Sequence, residues 1–194
     1  DADTLLIRDA ARNINGVIET AKSFAGKRFE YFPPADVLPS VELNDGPRIV
    51  GRVGSADIAL VNGVFGDALL HLRMRHQRRS LMFDLGNGSR LPARIAHQVS
   101  DVFISHAHMD HIGGFLWLLR SRLGDYPICR LFGPPGLARH IEGFLQGILW
   151  DRVEGCGASF EVMEFHENRL KRFHLQTGNA ERQLVDEVHT VGGI

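Results

Sequence analysis

The chain has 194 residues, 44% apolar and 23% charged, which suits one domain with a sizeable core and excludes global disorder. Its 22 basic and 23 acidic residues leave a formal charge of -1, so no protein-wide field points to nucleic acid or membrane, and only a local basic patch remains. No apolar run approaches the roughly eighteen residues needed to span a bilayer, so no membrane partner is expected.

Asp1 to Asp3 are acidic and resemble no secretory leader, and no initiator methionine stands first, so the expectation is a chain processed or cut from something longer. Leu6, Ala10, Ile14, Val17, Ala21 and Phe24 recur at helical spacing and predict an amphipathic helix over residues 4–25. Its apolar stripe suits packing against a domain or a homodimer contact. Pro33, Pro34, Pro39 and Pro47, with Asn44-Asp45-Gly46, predict an irregular arm. The division expected is an N-terminal helix and arm over 1–50 and a second domain over 51–194.

Ile58 to Val61 reads as a short strand. Ala68–Met74 and Ser80–Leu85 read as a hairpin that turns through Arg75–Arg79. Leu91 to Val99 is helix-like. Asp101–Ser105 is a buried strand, and Ile112–Leu123 a largely apolar helix. Ile128–Phe132 is a strand, and Gly133-Pro134-Pro135-Gly136 opens a helix that ends near Gly147. Phe160–Phe165 is a further strand. Strands followed by strand–helix alternation define an α/β protein with helices covering a sheet. Cys129 and Cys156 form no Cys-x-x-Cys pair and no disulfide framework, so a reducing, cytoplasmic setting is expected.

Histidine is the outlier, with ten in the chain and three in the segment Ser105-His106-Ala107-His108-Met109-Asp110-His111-Ile112-Gly113-Gly114. The pattern is His-x-His-x-Asp-His-x-Gly, placed where a buried strand ends. In extended chain, residues two apart point the same way, so His106 and His108 can aim at one metal ion. The chain then turns into a helix, where Asp110 and His111 can face a second. Asp110 can also cap that helix. Imidazole nitrogen and carboxylate oxygen suit zinc, and also iron or manganese. Gly113 and Gly114 let backbone pack close to the site. Four ligands cannot complete two shells, so further ligands are needed from later in the chain.

These residues resemble the metallo-β-lactamase fold superfamily, and within it the ribonuclease Z-like branch. The resemblance covers roughly residues 55–155. It includes Val61-Asn62-Gly63, Phe83-Asp84-Leu85-Gly86, the His-x-His-x-Asp-His motif and Gly133-Pro134-Pro135-Gly136. It implies a four-layered αββα sandwich with a two-zinc site at one edge. His106 and His108 would bind the first ion, Asp110 and His111 the second. A metal-bound hydroxide would attack the substrate, and Asp110 would help position it. In the nuclease members the substrate is the phosphodiester at the 3′ end of precursor tRNA. Asp84 would accept the free N–H of a ligand histidine. Its other reading is a strand-end Asp that satisfies backbone N–H groups.

The family needs a further His, a bridging Asp and a last His. His140, His166 and His174 read as solvated surface residues. His189, in Val188-His189-Thr190-Val191-Gly192, is similar to the family's next ligand segment. No bridging Asp or last His is found, so the expected architecture is the sandwich truncated to its first half, with apolar surface exposed. The basic stretch Arg73–Arg79 reads as a solvated hairpin end rather than a phosphate contact. The function expected is a metal-dependent phosphodiesterase or RNA endonuclease. The alternatives are a hydrolase of a small molecule (a cyclic nucleotide, lactone or sulfate ester) and a non-catalytic metal-binding fragment.

Overall fold

A computed structural model of the chain describes residues 49–152 and 157–189, all within the unit Asn44–Ile194. The N-terminal helix and most of the arm expected from the sequence lie outside the described residues, as does Cys156.

Nine strands form one mixed sheet in chain order: β1 (Val50–Val53), β2 (Ala56–Leu60), β3 (Leu70–Met74), β4 (Ser80–Phe83), β5 (Val99–Phe103), β6 (Cys129–Gly133), β7 (Ser159–His166), β8 (Arg169–Gln176) and β9 (Asn179–His189). β1 to β4 pair antiparallel, β4 to β7 parallel, and β7 to β9 antiparallel. A parallel pair needs a crossover, and helices supply it. They are α1 (Ala93–Ala96) before β5, α2 (Met109–Ile112) and α3 (Phe115–Ser121) before β6, and α4 (Leu137–Gln146) before β7. This mixed α/β arrangement agrees with part of a metallo-β-lactamase domain.

Register fixes which face is covered. Met82, Val102, Leu131 and Val162 sit side by side on four strands, and all are fully buried with Phe115, Leu118, Ile141 and Leu145 of the helices. Each such side chain contributes about 1.5–3 kcal/mol by leaving water. One residue along, every side chain points to the opposite face. There Phe83, Phe103, Phe132 and Phe165 stack in a row with ring centroids 5.1, 4.9 and 6.3 Å apart. Phe83 is 41% and Phe165 52% exposed, as the expected apolar surface requires.

Several expectations change. The helix over 91–99 shrinks to the single turn of α1, because Val99 and its successors are drawn into parallel pairing with β4. The helix over 112–123 is two helices, broken at Gly113 and Gly114. His166 and His174 are not solvated surface residues but strand residues, flanking the charged stretch 167–172. That stretch turns β7 into β8, and its charges pair across strands: Arg169 with Glu187 at 2.9 Å and Arg172 with Asp186 at 2.6 Å. His174 is half-buried in β8, and His166 sits 3.0 Å from Glu164.

Two buried polar groups set the acid behaviour. Burial alone would raise the Asp101 carboxyl, but Ser100, Arg79 and Arg130 hold it below the usual carboxylate range. His71 on β3 is 7% exposed, and its Nε2 has no hydrogen-bond partner. Burial, and then the nearby Arg73, push its pKa below the ordinary imidazole value. The unfolded chain therefore binds a proton at His71 that the folded chain rejects, so stability falls as pH drops through and below about 6.5. Urea unfolding at about pH 7.5 and 5.5 measures this. His71→Leu is expected to lose less stability between the two than the native chain, and an equal loss would contradict the assignment.

Candidate metal centre

The parallel strands β4, β5 and β6 end on one edge of the sheet, which is where open α/β sheets bind ligands. Asp84 follows β4, and Ser105 and His106 follow β5. Backbone bonds bolt the two segments together. Asp84 N–H donates to Phe103 O at 2.7 Å, Leu85 N–H to His111 O at 2.7 Å, and Gly114 N–H to Leu85 O at 2.8 Å. A Cβ on Gly114 would land on the Gly86 carbonyl oxygen, and one on Gly86 would lie 2.7 Å from the Asp110 carbonyl oxygen. Gly114 and Gly86 therefore permit the close approach. The other glycine singled out, Gly113, meets only Met109 of its own turn. Asp84 itself adopts φ 55°, a left-handed conformation that Asp tolerates better than most residues.

The fold brings the motif histidines together. The His106 ring lies 4.5 Å from that of His108 and 3.9 Å from that of His111, between centroids. His111 Nδ1 is 2.9 Å from Asp84 Oδ2, which leaves Nε2 facing outward, 3.4 Å from Asp110 Oδ2. Asp84 also accepts the Ser105 backbone N–H at 2.8 Å on Oδ1. One side chain thus meets both a backbone N–H and the His111 ring. Asp110 is the second residue of α2 and not its cap: the position before the helix is His108, and no side-chain cap bond forms.

The donor chemistry fits a metal ion. Neutral imidazole and carboxylate are the right groups, and the Asp84–His111 contact is the outer support that ligand histidines commonly have. The number falls short: among the described residues no three His, Cys, Asp or Glu side chains converge closely enough to hold one ion. His189 ends β9, four strands from β5 in the sheet order, roughly 19 Å at ordinary strand spacing. His140 is exposed on α4 and lines a groove with Ala107 and Met109. The basic hairpin turn lies at the amino end of β4, the opposite end from Asp84. Arg73 of β3, just before the turn, pairs with Asp57 at 3.4 Å, and Arg79 at its end pairs with Asp101 at 2.7 Å. No helix among the described residues is long and apolar enough to cross a membrane. Ser105 was not singled out from the sequence, although the serine stands next to the first motif histidine.

Residues 73–154 match the model of the metallo-beta-lactamase superfamily. Among curated proteins the chain is similar to ribonuclease Z of Brevibacillus brevis, with 36% identity over 84 residues, which is 39% of this chain and 26% of that protein. It is also similar to hydroxyacylglutathione hydrolase of Aeromonas hydrophila, with 32% identity over 105 residues, which is 51% of this chain and 38% of that protein. The chain thus spans well under half the length of either relative. Among solved structures, human tRNase Z, short form, aligns at TM-score 0.36 and 17% identity over 64% of this chain and 56% of that one.

Proposed function

We propose that the chain carries the first part of the metal site of a hydrolase that cleaves phosphodiesters in RNA, in the manner of ribonuclease Z. One observation carries this reading. His111 gives Nδ1 to Asp84 and keeps Nε2 outward beside Asp110, while the His106 and His108 rings crowd the same edge. In this reading His106 and His108 hold one zinc ion, and Asp110 and His111 a second. Manganese or iron suits the same donors. The bound metal supplies water activation and neutralises charge on the transferring phosphoryl group. Asp110 positions the attacking water, and Asp84 keeps His111 oriented. His189 is retained as a candidate for a further ligand. The partner is a tRNA precursor. A cytoplasmic setting accords with Cys129, a free thiol buried in the core and pushed by burial up to about 12, where it stays un-ionised.

Zn2+ titration of the 194-residue chain tests the metal assignment. Uptake is expected, with His108→Ala and His111→Ala each weakening it at least ~10-fold, given that even outer-shell losses cost that much. Equal affinity in all three proteins would sink it. The hydroxyacylglutathione hydrolase relative supports a second reading, a small-molecule hydrolase. Cleavage of a precursor tRNA by the zinc-loaded protein favours the first; turnover of a small ester without RNA cleavage favours the second.

A further inference from the structure

Ser105 Oγ lies 2.8 Å from Asp84 Oδ1, 3.0 Å from His106 Nδ1 and 3.2 Å from His111 Nδ1. A hydroxyl has one proton to donate and two lone pairs to receive protons. A carboxylate can only accept, and two oxygens at 2.8 Å need a proton between them. The Oγ proton is therefore committed to Asp84. Both imidazole contacts must then be Nδ1–H donating to Oγ, which fills both lone pairs. His106 and His111 are held in the same tautomer, each with an unprotonated Nε2 directed away from Ser105. His111 has a second acceptor in Asp84 Oδ2 at 2.9 Å. Among the described residues, His106 Nδ1 has Ser105 alone as hydrogen-bond partner.

We infer that Ser105 is a positioning residue: its hydroxyl, itself oriented by Asp84, fixes the tautomer of His106, while that of His111 is held by Asp84 with the hydroxyl beside it. The assignment of Nε2 to metal rests on the reading above; the tautomers themselves do not. A ligand histidine held in the wrong tautomer must exchange a proton before it can bind.

Long-range proton–nitrogen spectra of the 15N-labelled, metal-free, full 194-residue chain at about pH 8.5, roughly two units above the ordinary imidazole value, read the tautomers directly. In the native chain, His106 and His111 are both expected as Nδ1–H. In Ser105→Ala, His106 is expected to pass largely to Nε2–H, while His111 keeps Nδ1–H through Asp84. Ser105→Thr retains the hydroxyl and is expected to retain the native pattern. Zn2+ affinity is expected to fall ~10–100-fold in Ser105→Ala and to stay near native in Ser105→Thr. His106 found as Nε2–H in the native chain, or unchanged tautomers in Ser105→Ala, overturns the inference. So does native Zn2+ affinity in Ser105→Ala. The native chain alone gives a decisive reading should a variant not fold. Native Nδ1–H signals that Zn2+ fails to shift would support the Ser105 contact and overturn the metal reading instead.

Discussion

Gly114→Ala is expected to lower stability by about 3 kcal/mol and to remove Zn2+ uptake with it. The added Cβ would fall on the Gly86 carbonyl oxygen and lie 2.9 Å from that of Leu85, and both obstacles are backbone rather than flexible side-chain ends. Relief would require the Leu85–Gly86 turn to move away from the start of α3. That movement breaks the Gly114 N–H bond to Leu85 O and the Leu85 N–H bond to His111 O. Asp84 precedes that turn and would be carried off His111. Chemical denaturation and zinc titration of the same sample measure both losses. Gly143→Ala is the control, since nothing lies within 4 Å of a Cβ there. It sits inside α4, where Ala is favoured over Gly by about 0.5–1 kcal/mol, so it should stabilise. A Gly114→Ala protein with native stability and zinc uptake would refute the backbone contact as the frame of the site.

Arg122→Met is expected to cost about 3–5 kcal/mol, a large share of the 5–15 kcal/mol typical of a domain. Arg122 is 2% exposed, and among the described residues no carboxylate pairs with it. Its Nη1 donates to Ala96 O at 2.7 Å and Val99 O at 3.0 Å, and its Nη2 to Pro127 O. These carbonyls belong to the end of α1, the start of β5 and the loop before β6, so one guanidinium ties two crossovers together. Its face lies 6.0 Å from the Tyr126 ring centroid, and that ring stacks on His97. Methionine fills the volume and satisfies none of the carbonyls. Lysine is expected to recover part of the loss, because its point charge cannot reproduce the planar fork. A thermal midpoint within a degree or two of native for Arg122→Met would show that water reaches those carbonyls after all.

The candidate metal motif was legible because its donors are nearly contiguous: strand alternation pairs His106 with His108, and four side chains of a type that suits metal fall in six residues. The buried strands β4 to β7 were legible from their apolar runs, and the Gly133–Gly136 turn from its own composition. β8 and β9 were not, because their charges resemble a solvated loop until cross-strand pairing supplies each with an opposite charge. Pairing of that kind lives in register, which the order of residues does not reveal. Arg122 was equally hidden: a lone arginine after an apolar helix gives no hint that three carbonyls will surround it. Ser105 belongs with these. Serine is common, and only the meeting of two sheet strands at their carboxyl ends sets its hydroxyl between Asp84 and two imidazoles.

The sheet grows in strict chain order, each strand pairing with the one made just before it. No pairing skips over a strand, so the longest connection that any step must close is a single crossover. Every residue of the candidate centre that the fold brings together lies between Asp84 and Gly114, in the segments that follow β4 and β5. During synthesis from the amino end, this stretch emerges whole while β7, β8 and β9 are still to be translated. The order of the strands is also a timetable: the cluster of histidines can take shape on the ribosome well before the outer strands exist to protect it.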